Sequence, residues 1–175
     1  MQRIIESTKE LKKLNSLTGT AILTALKAVV AEFTIAVSNI LEIGFSNIIV
    51  GATAMYYGPV LTGLAGIMAD TIEYLLRPSG PYFPGFALNE FVIGFIYGCF
   101  FYKKTVTLKR VICAEFLVFL IVNMGMTPLW LHMLYGNGFI ALFTARIATQ
   151  LIKLPINIAL LYFLLTTLQR IKKPN

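Results

Sequence analysis

Charged side chains are scarce in this sequence, which has only eight acidic residues, fifteen basic residues and one histidine among 175 residues. Hydrophobic residues make up 57% of the chain, and its mean hydropathy is +0.76. A water-soluble domain of this length needs more polar surface than such a composition supplies. The sequence therefore predicts an integral membrane protein that is in contact with the lipid bilayer.

The motifs of common enzymes and metal sites are also missing. The two cysteines, Cys99 and Cys113, form no CxxC pair and have no histidine at metal-ligand spacing. The GxSxG serine motif, the HExxH zinc pair and the GxxxxGKS/T phosphate-binding loop do not occur. We therefore expect a protein that is not an enzyme and holds no metal or cofactor. The one histidine, His132, is interpreted as an anchor near the membrane surface.

The basic residues lie mainly at the ends of apolar runs. Eleven of the fifteen fall into three groups, namely Arg3, Lys9, Lys12 and Lys13, then Lys103, Lys104, Lys109 and Arg110, and finally Arg170, Lys172 and Lys173. This distribution follows the positive-inside rule and argues against a face that binds nucleic acid. We expect the N-terminus, the 103–110 loop and the C-terminus on the cytoplasmic side.

Six apolar runs are interpreted as transmembrane helices of a single domain that covers 1–175. They span 17–37, 47–57, 59–76, 86–101, 111–134 and 138–168. The second run is shorter than the about 20 residues that a hydrocarbon core of about 30 Å requires, so neighbouring helices must bury its ends. Residues 1–16 are charged, do not match a signal peptide, and are expected at the cytoplasmic membrane surface.

Charged residues inside the predicted spans are the candidates for function, because a charge at bilayer depth costs at least about 2.5–3.5 kcal/mol on insertion scales. On the third run, Asp70, Glu73 and Arg77 share one helical face. Arg146 on the sixth run starts a polar face that continues with Gln150, Lys153 and Asn157. Asp70 and Arg146 both lie roughly 10–12 Å below the outer helix ends at about 1.5 Å per residue. The pattern predicts a polar cavity open to the outside, and a purely structural Asp70–Arg146 ion pair is the alternative.

Two further segments have a pattern of their own. Ala21 and Ala25 form an AxxxA pair on the first run, and small residues at this spacing let another helix approach closely. Packing within the protein is the alternative interpretation.

The segment RPSGPYFPGFALNE, residues 77–90, separates two apolar runs with three prolines and several rings. We interpret it as a lid over the cavity.

Several segments in chain order carry a resemblance to a known family. They are the AxxxA pair, GPVLTGLAGIMAD, GPYFPGFALNE, the basic loop, NMGMTPLWLHMLYG and ARIATQLIKLPI. From about 18 to 165, the sequence resembles the S-component of energy-coupling-factor (ECF) vitamin transporters. The combination of PYFPGF with ARxxxxxxKxPI is similar to the folate-specific branch.

The resemblance implies an all-α, six-helix S-component bundle in the bacterial plasma membrane that binds folate from outside. It also implies assembly with a transmembrane coupling subunit, against which Ala21 and Ala25 would pack, and with two cytoplasmic ATPases that supply energy. An S-component for hydroxymethylpyrimidine, thiamin or a queuosine precursor is the near alternative. A membrane scaffold with structural buried charges is the alternative from a different class. The roles of Lys27, Glu32 and Lys153 stay open.

The chemistry of folate suggests roles for the candidate site residues. Adjacent N–H donors of a pterin suit one carboxylate, for which Asp70 is the first choice, Glu73 the second and Asn89 a supporting amide. Ring faces need stacking partners, for which the candidates are Tyr82, Phe83 and Trp130. The glutamate carboxylates of folate call for cations. Arg77 is the candidate here, while Arg146 would bind either the ligand or Asp70.

Overall fold

Helices account for nearly all of the chain that the computed structural model describes, which is residues 2–32, 35–36, 42–43, 45–78, 81–136 and 139–172. They are α1 (Gln2–Glu10), α2 (Leu14–Glu32), α3 (Ser46–Tyr57), α4 (Pro59–Leu76), α5 (Pro84–Phe101), α6 (Leu108–Val118), α7 (Thr127–Tyr135) and α8 (Phe139–Lys172). A π-helical segment, Phe119–Met126, joins α6 to α7. Two short antiparallel strands, β1 (Ile35–Ala36) and β2 (Glu42–Ile43), pair between α2 and α3.

Five helical stretches in the described residues have the length and apolar composition to cross a membrane. They are Leu14–Ala31, Pro59–Leu76, Pro84–Phe101, Leu108–Tyr135 and Thr149–Ile171. The predicted class, an all-α membrane protein, is confirmed. Helix α3 has 12 residues, which corresponds to about 18 Å and is well short of a hydrocarbon core of about 30 Å. It packs against α2, α5 and α8, which bury residues 50–55.

The helix bounds differ from the predicted runs at several ends. Helix α2 ends at Glu32, whereas the first run was predicted to reach Val37. Ile35 and Ala36 instead pair with Glu42 and Ile43, in keeping with the preference of β-branched side chains for extended backbone. Residue 37 and residue 138, the predicted start of the last run, lie outside the described residues. Helix α5 begins at Pro84, so the connection after α4 is confined to residues 77–83.

Glycines bring the backbones of α4 and α5 into close contact. A Cβ atom on Gly66 would lie 2.7 Å from the carbonyl oxygen of Glu90. A Cβ atom on Gly94 would lie 2.8 Å from the carbonyl oxygen of Thr62. Only glycine fits at such a separation without a backbone shift. The contact places Glu90 of α5 beside the half of α4 that carries the acidic residues.

The π-helical segment accommodates Pro128 between α6 and α7. The N–H and the hydroxyl group of Thr127 both donate to the carbonyl oxygen of Val122, the hydroxyl at 2.8 Å. A proline inside a regular α-helix clashes with the carbonyl group four residues earlier, and a wider π turn is one way to accommodate it. The segment thereby sets the rotation of α7, which carries Trp130.

The described residues of the three basic groups lie near one end of the bundle. The Nζ atom of Lys103, in the loop after α5, lies 2.8 Å from a carboxylate oxygen of Glu6 on α1. The N–H of Val106 donates to the side chain of Gln169, near the end of α8, at 2.7 Å. Ser7 of α1 also donates to the carbonyl oxygen of Tyr57 at 3.3 Å. Helix α1 therefore covers the turn between α3 and α4 at this end.

A small polar cluster fixes the junction between α1 and α2. Lys13 donates to Glu10 at 2.8 Å, and the hydroxyl group of Ser16 donates to the second oxygen of Glu10 at 2.6 Å. These hydrogen bonds, that of Lys13 first, lower the pKa of Glu10. The carboxylate is therefore stabilised in its charged form, which holds α1 against the start of α2.

We predict that Gly94→Ala lowers the thermal stability of the purified protein, because the added methyl group overlaps the backbone of Thr62. Overpacking of this kind costs about 1–3 kcal/mol. Thermal unfolding in detergent measures the effect. Gly125→Ala is the matched control, since a Cβ atom there meets only Leu120 at 3.6 Å. Equal melting temperatures for the two variants would contradict the close α4–α5 contact.

Candidate functional site

A cavity of about 430 Å³ opens at the end of the bundle opposite α1. Its wall is formed where α2, α4 and α7 end and where α5 begins, with one contribution from α8. A volume of about 300–1,000 Å³ is typical of small-molecule sites. Six of the eight predicted binding residues line it, namely Asp70, Glu73, Arg77, Tyr82, Phe83 and Arg146.

Asp70 and Arg146 both face this cavity. In the described residues, none of the ion pairs joins one to the other. The structure therefore does not contain the structural Asp70–Arg146 pair that the sequence left open as an alternative. Helix α4 supplies the acidic side of the wall, and Arg77 and Arg146 supply basic groups from two different parts of the chain.

A buried lysine pairs with two carboxylates beside the cavity. The Nζ atom of Lys27 lies 3.0 Å from Glu73 Oε1 and 3.0 Å from Glu90 Oε2. Its side chain is only 5% exposed. Glu73, the second choice for the pterin, is thus already engaged by a cation, whereas the described structure contains no ion pair of Asp70. This difference favours Asp70 as the group that meets a ligand.

Trp130 and Asn89 lie behind the cavity wall rather than in its lining. The indole N–H of Trp130 donates to Asn89 Oδ1 at 2.9 Å, and Asn89 Nδ2 donates to Thr127 Oγ1 at 3.1 Å. The ring of Trp130 lies 5.7 Å from the ring of Phe83, which does line the cavity. Asn89, selected as a supporting amide for the ligand, is therefore occupied in holding Trp130 against Phe83.

The rings of the connection after α4 rest on neighbouring helices. Tyr82 lies 5.1 Å from the ring of Tyr74 on α4, and its hydroxyl group is 3.4 Å from Thr71 Oγ1. Phe83 lies between Phe86 and Trp130. Two aromatic contacts therefore fasten the connection to α4 on one side and to α7 on the other, across the cavity mouth.

The sequence model of one protein family, described as "ECF transporter, substrate-specific component", matches residues 15–165. The chain belongs to this family. Membership confirms the prediction that the protein is a multi-pass component of a transporter in the cell membrane and not an enzyme.

Individual relatives are similar in sequence to this S-component over most of its length. A folate transporter FolT of Clostridium novyi (strain NT) is 37% identical over 152 residues, which cover 87% of this chain and 88% of the relative. A folate transporter FolT of Leuconostoc mesenteroides is 32% identical over 151 residues, covering 83% and 81%. A crystal structure of FolT bound with folic acid superposes with a TM-score of 0.80 at 36% identity, covering 89% of this chain and 95% of that chain.

Sequence reasoning missed part of the wall of this S-component. Among the additional lining residues are Tyr74, Phe86, Leu131 and Tyr135. Tyr74 follows Asp70 by four residues and so lies on the same helical face. This spacing could have identified it from the sequence. Leu131 and Tyr135 have the same spacing on α7, but nothing distinguishes them from residues that face lipid.

Polar residues deeper in the bundle form a second cluster away from the cavity. Gln150 and Asn157 of α8, selected as one face, line a small space together with Asn123 of the π-helical segment and the buried Glu115. The hydroxyl group of Tyr97 donates to Glu115 at 2.6 Å. Of the predicted α8 face, Arg146 therefore lines the cavity, whereas Gln150 and Asn157 line this interior space.

We predict that Asn89→Ala shifts the fluorescence emission of Trp130 to longer wavelength, because the indole N–H loses its acceptor and becomes free to bind water. Trp130 is the one tryptophan of the sequence, so the signal is unambiguous. Asn15→Ala, at an exposed position near the start of α2, is the control. An unchanged emission spectrum in Asn89→Ala would show that this hydrogen bond does not hold the ring.

Proposed function

We propose that this S-component captures folate from outside the cell in the cavity below residues 81–83. The observation that carries the proposal is one cavity with an acidic wall on α4, aromatic rings at its mouth, and two arginines. Folate has the matching parts, which are a pterin with N–H donors, flat rings and a carboxylate tail. The likeness to folate transporters and to a FolT bound with folic acid supports the same ligand.

Asp70 is the proposed acceptor for the pterin. One carboxylate can accept two adjacent N–H groups, and such charge-assisted bidentate contacts are strong and oriented. Asp70 lines the cavity without an ion-pair partner in the described residues, whereas Glu73 lies 3.0 Å from Lys27. Glu73 is therefore a second acceptor whose position is set by Lys27.

Tyr82 and Phe83 are the proposed partners for the ring faces. Offset and tilted aromatic arrangements at about 4.5–7 Å between ring centres are favourable. Phe83 already has Trp130 at 5.7 Å on one side. Trp130 supports Phe83 from behind, with Asn89 fixing its indole. Residues 81–83 would then cover the bound ligand.

Arg77 and Arg146 are the proposed partners for the glutamate carboxylates of folate. A guanidinium group matches a carboxylate with two parallel hydrogen bonds. Both arginines line the cavity, and neither forms an ion pair in the described part of the chain. Their positive charge therefore remains available at the basic side of the wall.

The proposed topology is the six-helix S-component bundle, with α3 as the short second helix and with both termini in the cytoplasm. The shared location of α1, the loop after α5 and the end of α8 supports one cytoplasmic end, because it gathers the basic groups. The cavity then opens outside. A transmembrane coupling subunit and two ATPases would complete the importer, and Ala21 and Ala25, both exposed on α2, would face the coupling subunit.

We expect the purified protein to bind folate in preference to thiamin and hydroxymethylpyrimidine, and Asp70→Asn to weaken folate binding by about 10- to 150-fold. The factor corresponds to the about 1.5–3 kcal/mol of a hydrogen bond to a charged group. Titration calorimetry measures both. Glu6→Gln, which removes an acid at the opposite end, is the control. Preference for another vitamin would overturn the proposed substrate, and unchanged affinity in Asp70→Asn would remove Asp70 from the site.

Ala25→Trp is expected to leave folate affinity unchanged and to prevent assembly with the coupling subunit, because a large ring on this face keeps a partner helix away. Co-purification of the complex from cells that express all subunits is the measurement. Ala159→Trp makes the same change at an exposed position of α8 and should assemble normally. Normal assembly of Ala25→Trp would show that the alanine face is not the interface.

A further inference from the structure

Between residues 20 and 27, helix α2 has its polar side chains on the buried face. Thr20, Thr24 and Lys27 are buried, whereas Ile22 and Leu26 are exposed. A membrane helix with this orientation presents apolar surface to lipid and turns its polar groups towards the protein. Lys27 is the charged member of the buried face, and the sequence alone gave it no role.

Lys27 connects three helices at one point. Its Nζ atom belongs to α2, while Glu73 belongs to α4 and Glu90 belongs to α5, both at 3.0 Å. The ammonium group, which has three N–H donors, donates a hydrogen bond to Glu73 and lies within ion-pair distance of Glu90. The close approach of Gly66 to the backbone of Glu90 brings the two acids to the same side of α2.

One of these two acids is part of the cavity wall, but Lys27 is not. A lysine near a folate site suggests a direct contact with the ligand carboxylates. The geometry argues against this assignment, because the ammonium group is buried and lies against Glu73 and Glu90. Its contact with the cavity wall is through the side chain of Glu73.

We propose that Lys27 is a positioning residue that fixes the carboxylate of Glu73 in the acidic wall of the cavity. The inference rests on the proposed function, since it concerns the acidic wall that would meet the pterin. Removal of the ammonium group leaves Glu73 and Glu90 facing each other without a cation. The two like charges then repel each other and the carboxylates separate, so Glu73 no longer presents the same acceptor to the cavity.

The test compares two ligands, folate and pteroic acid, which share the pterin but differ in the glutamate tail. Lys27→Met is expected to weaken the binding of both by the same factor, about 10-fold, because it disturbs the pterin end. Arg77→Gln is expected to weaken folate more than pteroic acid. Loss of folate affinity alone in Lys27→Met would show a direct contact with the tail and would overturn the proposal. So would unchanged affinity for both ligands.

Two controls separate positioning from a general structural effect. Lys103→Met removes another ion-paired lysine, at the far end of the bundle, and should bind like the wild type. In the Glu73→Gln background, Lys27→Met should add less than about 2-fold, since effects that act through one residue are not additive. A full 10-fold further loss would contradict the proposal. Failure of the wild type to bind folate would instead contradict the proposed function.

A further variant tests the proposal if Lys27→Met does not fold. If Lys27→Met is unstable, the triple variant with Glu73→Gln and Glu90→Gln removes all three charges together and leaves no buried charge unpaired. Its affinity for folate should lie within about 2-fold of that of Glu73→Gln, in which Lys27 keeps Glu90 as its partner. A clearly weaker triple variant would mean that Lys27 acts on the ligand independently of the two acids, which overturns the proposal.

Discussion

The cavity end of the bundle depends on the ion-paired cluster of Lys27, Glu73 and Glu90. A charge in the membrane interior needs a partner, and a buried lysine that is 5% exposed would be costly without one. The cluster satisfies this requirement across α2, α4 and α5 at once. Glu73 belongs both to the cluster and to the cavity wall. The ion pair that holds α2 against α4 therefore also fixes the position of a side chain in the cavity wall.

Helical spacing was sufficient to find the charged side chains of the cavity wall. Asp70, Glu73 and Arg77 recur at intervals of three and four, and all three line the same cavity in the structure, together with Arg146. Such a pattern is local, so a single sequence contains it. The all-α membrane class follows in the same way from the long apolar runs. Apolar wall residues such as Leu131 carry no comparable signal, since a leucine facing a ligand and one facing lipid look the same.

Contacts between residues that are far apart in the sequence could not be predicted from the sequence alone. Lys27 and Glu73 are 46 residues apart, and Trp130 and Asn89 are 41 apart, so neither pairing can be derived from spacing along one helix. Asn89 has the chemistry of a ligand contact, and only the fold shows that Trp130 and Thr127 occupy its amide. The end of α2 and the π-helical segment were missed for a related reason. Both depend on which backbone groups pair, and alternative pairings have nearly the same local sequence preference.

A structure of the protein with folate bound tests the account most directly, because it locates each part of the ligand. The account predicts the pterin N–H edge at hydrogen-bonding distance from the Asp70 carboxylate, a ring face against Phe83, and the glutamate carboxylates towards Arg77 and Arg146. A ligand bound in the reverse direction, with its pterin at the arginines, would contradict the assignment of the acidic and basic sides of the cavity. A ligand outside the cavity would contradict the site itself.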